Sequence, residues 1–127
     1  MRIYYERYPD DATEEEKQQK DICTIYRGDI YCSGPKSSVR DDVIEHEKIH
    51  LKQAGNNYDE WFKKCNEDEE FYIEQEVEAY KAQIEYIRKT IGEEKAKRAI
   101  VSFAEFLSGP LYGNIISFKE ALKRLQI

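Results

Sequence analysis

The chain of 127 residues contains two histidines, and both stand in one five-residue pattern, His46-Glu47-Lys48-Ile49-His50. An α-helix advances about 100° per residue, so residues four apart lie one above the other on a single face. On the same helix Val39, Val43, Ile44, Leu51 and Ala54 define an apolar arc, and His46, Glu47 and His50 fall inside it. Asp41, Asp42, Glu45, Lys48 and Lys52 are expected to face solvent. Any fold of this chain must therefore cover an apolar face that carries two imidazoles and a carboxylate. Such groups are costly to bury unless they are hydrogen-bonded, paired or bound to a cation.

Two imidazole nitrogens at this spacing can share a metal. H-E-x-x-H on a helix is the pattern in which they bind zinc while the intervening carboxylate serves as general base. One Zn2+ ion is the expected cofactor, with His46 and His50 as ligands and Glu47 as catalytic base. The metal-free alternative is a partly buried histidine pair beside a salt-bridged glutamate.

A catalytic zinc site takes three protein ligands and keeps one position open. The stretch Glu74-Gln75-Glu76-Val77-Glu78 offers three carboxylates. Helical rotation puts Glu74 and Glu78 with Lys81, Glu85 and Arg88 on a wet face, whereas Glu76 falls among Tyr72, Ala79, Tyr80 and Ile87. A carboxylate in that position needs a partner, because an unpaired buried charge costs several kcal/mol. Zinc is the expected partner, and an Arg or Lys of the N-terminal region is the alternative. Gln83, on the same face, is either a group supporting the metal ligands or a filler with a satisfied amide.

The rest of the chain predicts an α+β fold: a small antiparallel sheet of about three strands, followed by the histidine helix, the glutamate helix and C-terminal helices. Ile3–Tyr8, Ile22–Tyr26 and Asp29–Ser33 read as strands by their Ile and Tyr content, the last two joined by a turn at Arg27-Gly28. Ser38-Val39-Arg40-Asp41 resembles a capping box that opens the histidine helix, which Gly55 ends. A short helix over Asn56–Lys64 is expected to connect to a long one, opened near Asn66–Asp68 and stopped by Gly92. The spacing of Ala96, Ala99, Ile100, Phe103, Phe106 and Leu107 predicts a helix over Glu93–Leu107. Ser117-Phe118-Lys119-Glu120 opens a last one, with Phe118, Ala121, Leu122 and Leu125 on one side.

The length suits one domain over residues 1–127, and ten Tyr, five Phe and one Trp supply large groups to bury. A net charge of −6 and a pI near 5.1 argue against a nucleic-acid partner, since phosphate binding needs concentrated Lys and Arg. No apolar run approaches the ~20 residues of a membrane span and none at the N-terminus reads as a signal peptide, so a soluble, cytoplasmic protein without a membrane partner is expected. Cys23, Cys32 and Cys65 lack the C-x-x-C spacing of a thiolate metal site and read as free thiols. A turn at Arg27-Gly28 would nevertheless set Cys23 opposite Cys32, within reach of a disulfide.

The pattern His46-Glu47-x-x-His50 followed by Glu76-Val77-Glu78-Ala79 resembles the gluzincin metallopeptidases, whose third zinc ligand is a glutamate opening an E-x-x-A motif. The small size makes the chain similar to a minigluzincin, a minimal zincin-like domain, over about residues 22 to 90. The resemblance implies a zinc metallopeptidase with His46, His50 and Glu76 as ligands and Glu47 as base. It also implies an extended peptide or protein substrate added to an edge strand, here Asp29–Ser33. Latent forms, in which a terminal segment fills the cleft, point to Gly109–Ile116 as that segment. The chain departs from the wider clan in having Tyr80 where several members carry an acidic residue. It also lacks a further histidine for the oxyanion, a role left to Tyr31, Tyr80 or Tyr112. The rival reading is a catalytically inactive zinc-binding interaction or regulatory module, closed by a fourth ligand such as Cys65 or Asp59.

Overall fold

Arg27 and Gly28 both adopt positive φ (45° and 90°), as a two-residue hairpin turn requires. The strands on either side, β2 (Cys23–Tyr26) and β3 (Asp29–Cys32), pair antiparallel with Cys23 opposite Cys32. A computed structural model, describing residues 1–126, supplies one further strand, β1 (Ile3–Tyr4). β1 runs parallel to β3, with Ile3 opposite Ile30 and Tyr4 opposite Tyr31. The α+β class and the three strands agree with expectation, but the sheet is mixed. No tight turn joins β1 to its partner, so local sequence does not dictate its direction. The order β1-β3-β2 also makes β3 the central strand, which corrects the expectation that Asp29–Ser33 forms a free edge; the edges are β1 and β2.

Five helices follow: α1 (Asp41–Ala54), α2 (Tyr58–Glu67), α3 (Glu69–Thr90), α4 (Glu93–Leu107) and α5 (Phe118–Leu125). Ser38 does not cap α1. It sits in a 3-10 turn, its hydroxyl donates to the Pro35 carbonyl (2.9 Å), and extended backbone at Val39 and Arg40 delays the helix. Two other start signals act as their residue types predict: Asp68 accepts the Phe71 N–H (3.0 Å) to open α3, and Ser117 accepts the Glu120 N–H (3.1 Å) to open α5. On α5, Ala121 and Leu125 are buried, whereas Phe118 is 39% exposed and lies outside the core.

Two apolar clusters hold these elements. Ile25, Ile30 and Cys32 of the sheet pack with Ile44 and Ala54 of α1, flanked by Tyr58 and Trp61 of α2. Ile84 and Ile87 of α3 pack with Phe103 and Leu107 of α4 and Leu125 of α5. α1, part of the first cluster, packs against α3, part of the second. Among the described residues no helix is long and apolar enough to cross a membrane.

Candidate metal centre

α1 and α3 run antiparallel, with Asp42 meeting Gln83 at one end and Gln53 meeting the Gln75 carbonyl at the other. This alignment brings His46, His50 and Glu76, all buried, to a common point. His46 Nε2 is 3.0 Å and His50 Nε2 3.3 Å from the same oxygen, Glu76 Oε2. As helical rotation predicts, Glu76 is buried while Glu74 and Glu78 are exposed. Its partners are the two histidines, not an Arg or Lys. The three residues form a group able to bind a metal ion.

Two glutamines orient the rings. Gln83 donates its amide N–H to Asp42 Oδ2 (2.7 Å), so its carbonyl oxygen faces His46 Nδ1 at 2.9 Å. Gln53 donates to the Gln75 carbonyl (2.9 Å) and to Glu78 Oε1 (3.0 Å), which turns its carbonyl oxygen to His50 Nδ1 at 2.8 Å. Each imidazole must therefore donate from Nδ1. In the neutral ring Nε2 is then the bare acceptor, the form a metal takes, and both Nε2 atoms face Glu76. Asp42 corrects a sequence expectation. Placed with the solvent face by rotation, it is buried (5% exposed), accepting from Gln83 and from the Arg40 guanidinium (3.1 and 3.3 Å).

Charge reinforces the geometry. Burial opposes ionisation of Glu76, but hydrogen bonds from His46 and His50 outweigh it and hold the carboxyl down at about 2. Burial likewise disfavours the His50 cation, yet its contact with Glu76 raises it to about 9. Glu47 is buried too and takes no part in the bonds joining these three residues. Burial lifts its carboxyl to about 7 against the pull of the two histidines.

Glu47, His50 and Glu76 line one cleft of about 350 Å³. Its walls include Ile22–Ile25, on and just before the edge strand β2, and Tyr58, Trp61 and Phe62 of α2. Trp61 lies against His50 (ring centroids 5.6 Å) and is anchored by its indole N–H to Gln75 Oε1 (2.9 Å). Glu16 and Gln19 border the cleft from the N-terminal segment. Gly109–Ile116 does not line it, since Tyr112 packs against Tyr72 (5.4 Å) and bonds Tyr80.

The tyrosines divide differently from the sequence expectation. Tyr31 stacks on Tyr4 (4.9 Å) beneath the Arg7 guanidinium, on the sheet face opposite Ile30 and Cys32, and is not brought to the metal group. Tyr80 sets its ring edge-on to His46 (4.6 Å), but its hydroxyl and that of Tyr112 engage each other at 3.0 Å. Like Tyr58 of α2, Tyr72, one turn before Glu76 on the same face, lines the cleft. Burial and the nearby Glu76 charge keep its hydroxyl protonated. Its position relative to Glu76 was a signal available in the sequence. Cys65 lines the cleft without joining the ligand group, and Asp59 is exposed and paired with Arg27 (3.4 Å).

The fold and site thus define an α+β protein with a buried two-histidine, one-glutamate group at the α1–α3 interface that is able to bind a metal ion. No protein family, curated protein or solved structure matches the chain.

Proposed function

We propose that the chain is a zinc-dependent peptidase in which Glu47 is the general base. The observation that carries this reading is the convergence of His46 Nε2, His50 Nε2 and Glu76 Oε2 within 3.0 to 3.3 Å of one another, with Glu47 in the same cleft wall. Those separations approach the edge of about 3.3 Å that zinc–nitrogen bonds of ~2.0–2.1 Å imply for a tetrahedron. A nitrogen-rich set with one carboxylate suits zinc better than calcium or magnesium. A group of three protein ligands resembles catalytic zinc sites more than closed four-ligand ones.

When bound, zinc supplies Lewis acidity that polarises a carbonyl and acidifies water. Gln83 and Gln53 hold the two imidazoles with Nε2 directed inward. Glu47 accepts the proton of the attacking water and returns it to the leaving amine. β2, an edge strand in the cleft wall, offers backbone groups to an extended peptide, which supports a peptide or protein substrate.

The test compares native protein with Glu47→Gln for zinc content and for cleavage of a peptide library. The native chain is expected to hold one zinc and cleave peptides, and the variant to keep the zinc while losing roughly 100-fold or more of the rate. Native protein that binds zinc and cleaves nothing would replace this reading with a zinc-holding interaction module.

A further inference from the structure

Cys23 and Cys32 face each other across the β2–β3 hairpin. The adjoining pair is hydrogen-bonded, with Ser33 N–H donating to the Ile22 carbonyl (2.9 Å), so Cys23 and Cys32 occupy a non-hydrogen-bonded pair. Cα atoms there come to about 4.5 Å, within the roughly 4.4–6.8 Å that a disulfide spans. Cys23 Sγ donates to Cys32 Sγ at 2.7 Å, so both side chains already point at each other. The two differ in access: Cys32 is fully buried, whereas Cys23 is partly exposed and lines the cleft.

The geometry points to Cys23 and Cys32 as a reversible dithiol–disulfide site in the cleft wall, oxidised by exchange with a low-molecular-weight disulfide. Cys23, the accessible sulfur, attacks the small disulfide as thiolate, forming a mixed disulfide and breaking the small disulfide's S–S bond to release one thiolate. Cys32, as thiolate, then attacks the Cys23 sulfur, closes the protein disulfide and releases the second small thiolate. The two protons lost by the cysteines end on the two released thiols, and two electrons pass to the small disulfide.

Burial, with a contribution from the Glu47 charge, keeps both thiols protonated, so exchange is slow at neutral pH and quickens as pH rises. The bond would tie the edge strand of the cleft to the central strand without moving the backbone. The inference depends on neither the metal nor the peptidase reading. Cys65 provides an internal control, being buried elsewhere in the cleft wall.

The full chain is equilibrated in mildly alkaline buffer with graded ratios of oxidised to reduced glutathione, until samples started reduced and oxidised agree. Free thiols are then alkylated and the protein mapped by mass spectrometry. The expected result is one internal disulfide joining Cys23 to Cys32, alkylated Cys65, and a higher urea midpoint for the oxidised form. Cys65→Ser should behave as native, while Cys23→Ser should never close. Three free thiols at every ratio, a mixed disulfide that stops at Cys23, or a bond involving Cys65 would each overturn the proposal.

Discussion

His46 Nε2 and His50 Nε2 stand 3.2 Å apart, while the opposite nitrogen of each ring is held by a glutamine carbonyl oxygen. Glu76 Oε2 completes a triangle with them at 3.0 and 3.3 Å. With both rings neutral and both Nδ1 atoms donating outward, the triangle presents three acceptor atoms to one another. A single proton satisfies some of these contacts and leaves at least one pair of lone pairs opposed. A divalent cation satisfies all three corners, which makes the α1–α3 interface able to hold a metal ion.

Replacing Glu76 should therefore weaken zinc binding far more than replacing its neighbours. Glu76→Gln is expected to lose more than about 100-fold in affinity, exceeding the usual cost of an outer partner. Glu74→Gln, on the exposed side, should stay within about threefold of native. Glu78→Gln should fall between them, because Glu78 accepts from Gln53, which orients His50. Competition with a chromophoric chelator measures all three, and equal losses would refute the assignment of Glu76.

Gln83→Leu removes the link between Asp42 and His46. Two buried polar groups lose their bridge, so stability is expected to fall by roughly 1–3 kcal/mol and zinc affinity by about 10- to 100-fold. Urea unfolding of the metal-free protein separates the first effect from the second. An unaltered affinity would show that Gln83 only fills space.

Metal should reverse the pH dependence of stability. Without zinc, Glu76 contributes stability that is present above 4.5 and lost as pH falls through about 2. Glu47 is raised from 4.5 to about 7 and His50 from 6.5 to about 9, so their contributions are present at low pH and disappear as pH rises through those values. The metal-free chain should be most stable near pH 4.5 as far as these three groups decide, and decline towards 9. With excess zinc, which competes with protons for His50, the increment from metal should grow over the same range. Urea midpoints with chelator and with zinc test this, and parallel curves would contradict it.

Tyr72 is expected to matter more to turnover than Tyr80. Its side chain lines the cleft, whereas the Tyr80 hydroxyl is engaged by Tyr112. If Tyr72 steadies the developing oxyanion, Tyr72→Phe should lower kcat by about 100-fold with little change in zinc content. Tyr80→Phe should alter kcat only a few-fold, and the opposite ranking would move the role to Tyr80.

Local periodicity carried much of this protein into view. The four-residue spacing of His46 and His50 put them on one face, and rotation along α3 separated buried Glu76 from exposed Glu74 and Glu78. The Arg27-Gly28 turn set Cys23 opposite Cys32, and Asp68 and Ser117 opened helices as their residue types predict. Each depends on residues a few positions apart, whose relation the helix or hairpin repeat already dictates. The parallel docking of β1, the central place of β3 and the burial of Asp42 depend on partners far along the chain. So does the divergence of Tyr31 from Tyr72. Asp42 looks like a surface residue on α1 alone and becomes a buried acceptor only because antiparallel packing brings the Gln83 amide to it at 2.7 Å. Sequence by itself determined which side chains could share a metal; tertiary packing decided which groups orient them, because a buried polar group is placed by the partner that satisfies it.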